Sequence, residues 1–186
     1  CLRSEQLEGQ MLDFYLIVSD YSAAYPKSWL ATANRLIPPN VFPFAHGGLA
    51  AKYAVLSESD FAALNSPDAS TVSVWARFAQ PTRLVWHSDE AARVTVINAI
   101  AKAAPTLFHF ARPIAASDDP VAIWRAGFAQ TYKAEIRAER EDRSGLIVDA
   151  DPARYARFGE SVPSDPAPLN AQAAQRAWRA LQRRGK

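Results

Sequence analysis

The run MLDFYLIV at residues 11–18 constrains this chain more than any other stretch. Seven of its eight residues are apolar or aromatic, and the eighth, Asp13, is a carboxylate. Alternation with a period of two puts Phe14, Leu16 and Val18 on one face and Asp13, Tyr15 and Ile17 on the other, which predicts a buried β-strand. An acid in such a strand is either solvated at a strand end or held at the mouth of a site that needs a negative charge. Pro26 then stands where a first-turn proline belongs, and PKSWLATANRLI reads as a helix stopped by Pro38-Pro39. The chain therefore opens with a strand that feeds a helix.

Further along, residues 38–50 read as a loop rich in proline and glycine, and AKYAVLS (51–57) as a second strand. Ser57 followed by Asp60 caps the helix ESDFAALN. STVSVWARFAQ (70–80) is expected to be helical up to Pro81, and TRLVW (82–86) to be a third strand. Ser88 is expected to cap a long helix over residues 89–104, and Asp118-Asp119-Pro120 to start another running to residue 140. Val121, Trp124, Phe128, Tyr132 and Ile136 lie along one side of that second helix. DADPARYARF is a short helical turn, ESVPSDPAP (160–168) a proline-rich linker, and the C-terminal stretch a basic helix. Trp75, Trp86 and Trp124 are expected in the core. Strands mixed with helices come first and helices alone follow, which defines an α/β (α+β) chain with a helical second half. The expected divisions are 1–87, 88–159, the linker 160–168, and the helix 169–186.

Composition narrows the chemistry. A chain of 186 residues that is 49% hydrophobic can bury a real core. Its net charge of +2 permits a phosphate-bearing partner without demanding one. The single cysteine, Cys1, excludes an internal disulfide and a cysteine-cluster zinc site. A reducing compartment is the simpler inference, with a lipidated N-terminal cysteine as the alternative. No apolar run approaches the ~18 residues of a membrane-spanning helix. His46, His87 and His109 have no ligand spacing, the glycines of HGG (46–48) precede no helix, and no Walker, nucleophile-elbow or dinucleotide fingerprint occurs.

Several stretches, in order, resemble the mitochondrial-type phosphatidate cytidylyltransferases. They are MLDF with its apolar continuation, NVFPF (40–44), KYAVLS (52–57), WARFAQPTRLVW (75–86), NAIAKAAPTLF (98–108) and YKAEIRAER (132–140). The likeness spans about residues 9–140. It implies a nucleotidyltransferase core of the DNA polymerase beta type, here without its N-terminal elements. The implied reaction joins CTP to phosphatidic acid, giving CDP-diacylglycerol and pyrophosphate with Mg²⁺. Asp13 becomes the catalytic, metal-holding carboxylate, and Lys52 and Arg77 become clamps for the triphosphate. Cys1 falls where the family's nucleotide-binding turn has a serine. Members of the family also carry a C-terminal amphipathic helix. In residues 169–186, Leu169, Ala173, Ala177 and Leu181 share a face flanked by Trp178, and Arg176, Arg179, Arg183 and Arg184 lie around it. Trp178, Arg179 and Arg183 are the expected contacts to an anionic membrane surface. The implied location is peripheral to a membrane, on its cytoplasmic or matrix side, with no nucleic-acid partner.

Two departures from the family pattern matter. Enzymes of this fold carry a second acid two residues after the first, where this chain has Tyr15. Glu5, Glu8 and Asp20 are the nearby carboxylates. The strand–helix unit that normally precedes the turn is also missing. A nucleotidyltransferase with another acceptor, such as a sugar phosphate or a nucleic-acid end, and a relative that binds nucleotide or membrane without catalysis are therefore the alternative readings.

Overall fold

The computed structural model describes residues 9–134, 147–163 and 167–184. Cys1, Glu5, Glu8, the expected extension of a helix to residue 140 with Ile136, and part of the expected linker lie outside the described residues. The chain is a mixed α/β protein that divides into two units. One comprises the chain up to Ala62 together with Pro81–Ile97; the other comprises Ala63–Gln80 and the chain from Asn98 onward.

The first unit is built on a three-stranded sheet in the order β1-β3-β2. Strand β1 (Met11–Val18) runs parallel to β3 (Leu49–Ser57), and β2 (Asn40–His46) runs antiparallel to β3. The expected loop at 38–50 is thus a strand and a hairpin. Gly47 and Gly48 make its two-residue turn at φ 56° and 78°, a conformation of type I′ that glycine adopts without penalty. Pro43 is tolerated because β2 is an edge strand. β1 is also an edge among the described residues, so the expected buried strand leaves Phe14 41% and Leu16 44% exposed. The alternation itself holds.

Helices α1 (Tyr21–Ala24) and α2 (Ser28–Leu36) cover one sheet face, where Tyr21, Ala31 and Val55 pack with Val18, Phe42 and Tyr53. Asn34, fully buried on α2, donates to the Val55 carbonyl and accepts from the Tyr25 hydroxyl and the Asn40 amide. Two of these bonds tie α2 to β3 and β2, and the third ties it to the end of α1. Helix α3 (Glu58–Leu64) begins as expected, with the Asp60 amide donating to Ser57 Oγ. The Tyr21 hydroxyl donates to the Asp60 carboxylate. TRLVW is not a strand: it is irregular, and Leu84, Val85 and Trp86 are exposed. Its residues suit a sheet, but strand propensity acts only through a partner strand, and Pro81 has no N–H to start a ladder.

The second unit packs around α6 (Ala103–Ala111), eight of whose nine residues are buried. The expected single helix at 89–104 is two, α5 (Glu90–Ile100) and α6, because Pro105 would clash with the Ala101 carbonyl in a continuous helix. Asp89, not Ser88, caps α5 through the Ala92 amide, and that bond lowers the carboxyl's pKa. The span Glu90–Ile114 is long and apolar enough to cross a membrane by length and composition, but half of its apolar stretch is buried within the protein. In the 70–80 segment only α4 (Trp75–Phe78) is helical; β-branched Thr71, Val72 and Val74 disfavour the turn before it. Thr106 donates to the Asn65 carbonyl and anchors this segment to α6.

Helices α7 (Pro120–Ala134), α8 (Pro152–Glu160) and α9 (Ala171–Arg184) complete the unit. Asp119, Asp151 and Asn170 cap them, two with proline as the first helical residue. Trp124 is wholly buried, donates to the Tyr155 carbonyl and meets Phe108 edge-on at 4.8 Å. α8 approaches α7 closely at Gly159, where a Cβ would fall against Pro120 and 3.0 Å from Trp124 Nε1.

Gly159→Ala should therefore cost about 1–3 kcal/mol through overpacking, read as a lower denaturant midpoint. Tyr21 yields a second test. Burial first, and then its bond to Asp60, raise its pKa above the usual value. Its contribution to stability is thus complete below the ordinary tyrosine pKa and is lost as pH rises through the raised one. Tyr21→Phe should cost about 1 kcal/mol at neutral pH and flatten the fall in stability above pH ~10, measured by urea unfolding across that range.

Candidate functional site

The site is a consequence of strand register. β1 and β3 pair without a slip from Met11↔Ala50 to Val18↔Ser57, which sets Asp13 beside Lys52. Tyr53 and Val55 belong to the face covered by α1 and α2, so alternation puts Asp13, Tyr15, Lys52 and Ala54 on the opposite face. There Lys52 Nζ lies 3.2 Å from Asp13 Oδ1. The side chains retain 43% and 38% exposure, so water reaches both charges. On the other flank of Lys52 the register partner is Pro43, which brings no competing charge.

An ion pair this exposed contributes at most ~1 kcal/mol to stability, because water screens it and two flexible chains must be ordered. Its chemical capacity is greater. A carboxylate and an ammonium side by side within reach of water can hold a cation and an anion together, as a metal-bound phosphate requires.

Of the nearby acids named from the sequence, Asp20 is among the described residues and is engaged elsewhere. Asp13 to Val18 alone spans about 16 Å of extended chain, so Asp20 lies well beyond reach of Asp13. Asp20 instead caps α1: its carboxylate accepts from the Ser22 hydroxyl and amide and pairs with Arg35 at 3.3 Å. Ser22, followed by Arg35, lowers its pKa. Tyr15, two residues after Asp13 on the same strand face, is half-buried. Among the described residues no group of three or more His, Cys, Asp or Glu can hold a metal. Mg²⁺ commonly takes one or two protein carboxylates and completes its shell with phosphate and water oxygens. A water-accessible Asp13 fits an ion carried on a triphosphate.

The remaining expected site residues are dispersed in the chain. Arg77 lies in the last turn of α4, in the second unit, and is half-buried. Trp178 is not a membrane contact in this fold. It is 3% exposed, donates through Nε1 to the Phe110 carbonyl at 3.0 Å and packs against Trp75 at 5.9 Å. Leu181 is buried with it. The apolar face of α9 is consumed by the core because it meets α6 and α7. Arg179 and Arg183 are exposed, and so is Arg176, which the sequence reading did not single out as a contact. The signal was available in the three- and four-residue spacing of these arginines. The sequence matches no family model and no curated protein.

If Asp13 and Lys52 are retained for chemistry and not for folding, their coupling should be small. A double-mutant cycle with Asp13→Asn and Lys52→Met should give a coupling energy below about 1 kcal/mol in urea unfolding.

Proposed function

We propose that the protein is a nucleotidyltransferase that makes CDP-diacylglycerol from CTP and phosphatidic acid. The observation that carries this reading is the Asp13–Lys52 pair, water-accessible on the sheet face opposite α1 and α2. The resemblance of the surrounding strands to phosphatidate cytidylyltransferases names the substrates. In the reaction, a phosphate oxygen of phosphatidic acid bonds to the α-phosphorus of CTP while the bond to the β-phosphate oxygen breaks, releasing pyrophosphate. Asp13 is the residue that would hold Mg²⁺, which when bound offsets charge on the triphosphate and on the departing pyrophosphate. Lys52 carries three donors on a flexible stem, so it can keep one on Asp13 and present others to phosphate oxygens. The protein would act peripheral to a membrane, on its cytoplasmic or matrix side, since its lipid substrate stays in the bilayer.

One observation favours a second reading, nucleotide binding without transfer: Tyr15 stands where a second metal-holding acid would be. The two readings separate in one assay. Under the first, pyrophosphate release requires CTP, Mg²⁺ and phosphatidic acid together, and under the second CTP binds and nothing is released. Asp13→Asn keeps the size of the side chain and removes its charge. It should lower turnover at least ~100-fold with the circular dichroism spectrum unchanged. Lys52→Met should raise the half-saturating CTP concentration while sparing lipid binding. Full pyrophosphate release by Asp13→Asn would remove the assignment.

A further inference from the structure

Residues 82–86, TRLVW, have the composition of a strand and no strand to join. All five are exposed, Val85 at 68% and Trp86 at 72%. Among the described residues, none of the five makes a backbone hydrogen bond. Strand β1 offers the matching half. Among the described residues it is an edge of the three-stranded sheet, and Phe14 and Leu16 on it are exposed. A sheet edge and a β-prone segment satisfy one another through main-chain hydrogen bonds. Both belong to the first unit, yet they do not pair within it.

We propose that the protein pairs with a second copy of itself by strand addition, residues 82–86 of one copy extending the sheet beyond β1 of the other. A second copy is the fitting partner because one chain carries both the donor segment and the accepting edge. Exchanged both ways about a two-fold axis, the contact closes on itself. It covers on the order of 1,000 Å², where specific interfaces begin. Alternation decides which faces meet. Leu84 and Trp86 share one face of the segment, Arg83 and Val85 the other. Setting Leu84 and Trp86 against Phe14 and Leu16 joins apolar to apolar and carries Arg83 to the face of Asp13 and Lys52. A parallel register, Leu84 at Phe14 and Trp86 at Leu16, puts Arg83 directly opposite Asp13. The antiparallel register over the same four residues would put Arg83 opposite Ile17, so charge complementarity selects the parallel one. Among the described residues, Arg83 is paired with no carboxylate in its own chain. The second copy thus brings a guanidinium to the site. Its use there as a contact to phosphate would rest on the reaction proposed above, whereas the pairing itself does not.

The mass of the full chain is measured by sedimentation equilibrium without nucleotide. It should rise from one chain to two with a dissociation constant on the order of 10 μM. V85P removes an N–H that the single chain does not use, and should weaken pairing at least ~10-fold with the circular dichroism spectrum unchanged. R83D should weaken it by a similar factor. The register has its own test, since residues directly opposite one another are close enough for a disulfide. In a C1S background, D13C mixed with R83C should cross-link between chains under oxidation, and I17C mixed with R83C should not. A mass of one chain at concentrations up to about 1 mM would overturn the proposal. So would undiminished pairing in both V85P and R83D, or equal cross-linking at positions 13 and 17. Loss of CTP-dependent turnover in a protein that still pairs would count against the catalytic reading alone.

Discussion

The candidate site depends on the parallel pairing of β1 with β3 and on its register. Side chains in a strand alternate, so a slip of one residue would carry Asp13 to the face covered by α1 and α2 and separate it from Lys52. The register is held from that covered face. On β3, Val55 is buried against Tyr21 and Ala31 and its carbonyl accepts from the Asn34 side chain; on β1, Val18 packs on the same cluster. A slipped strand would bring a different residue beneath α2 and strip a buried amide of its acceptor. The packing on one face of the sheet thus places the charges on the other.

The second unit is organised by a different constraint. α6 is apolar nearly all round, and a helix of that kind must be enclosed. Trp75, Trp124 and Trp178 do much of the enclosing, from three separate elements, and two of their indole N–H groups find backbone carbonyls. This demand explains why α9 has no apolar face to spare. Once Trp178 and Leu181 are committed to the core, the helix offers its surroundings glutamines, arginines and a few alanines.

Much of this was legible in the sequence where the signal is local. The period-two pattern of residues 11–18, the Ser57 cap, the proline and acid that start α7, and the burial of Trp75 and Trp124 each follow from a few neighbouring residues. Misreadings occurred where a partner decides. NVFPFAH was read as loop because its proline and glycines argue against a strand, yet the pair Gly47-Gly48 is what lets it fold back on β3. TRLVW was read as strand on composition and remains irregular without a neighbour to bond. Trp86 accordingly is 72% exposed and not in the core. Pro105 lies just past the end of the expected helix, yet it belongs to α6, and the break comes ahead of it because its ring excludes the carbonyl four residues back.

The sequence by itself determined the succession of β1, α2, β3 and α3, most of the helix starts, and the identity of Asp13 as the lone acid in an apolar strand. These rest on backbone sterics and on bonds between residues a few positions apart. Only the tertiary structure decided that Lys52 is the neighbour of Asp13, that Asp20 is spent on a cap and on Arg35, and that Trp178 faces inward. Each of those outcomes is a contact between residues distant in the chain, and periodicity shows which residues share a face without showing what the face will meet.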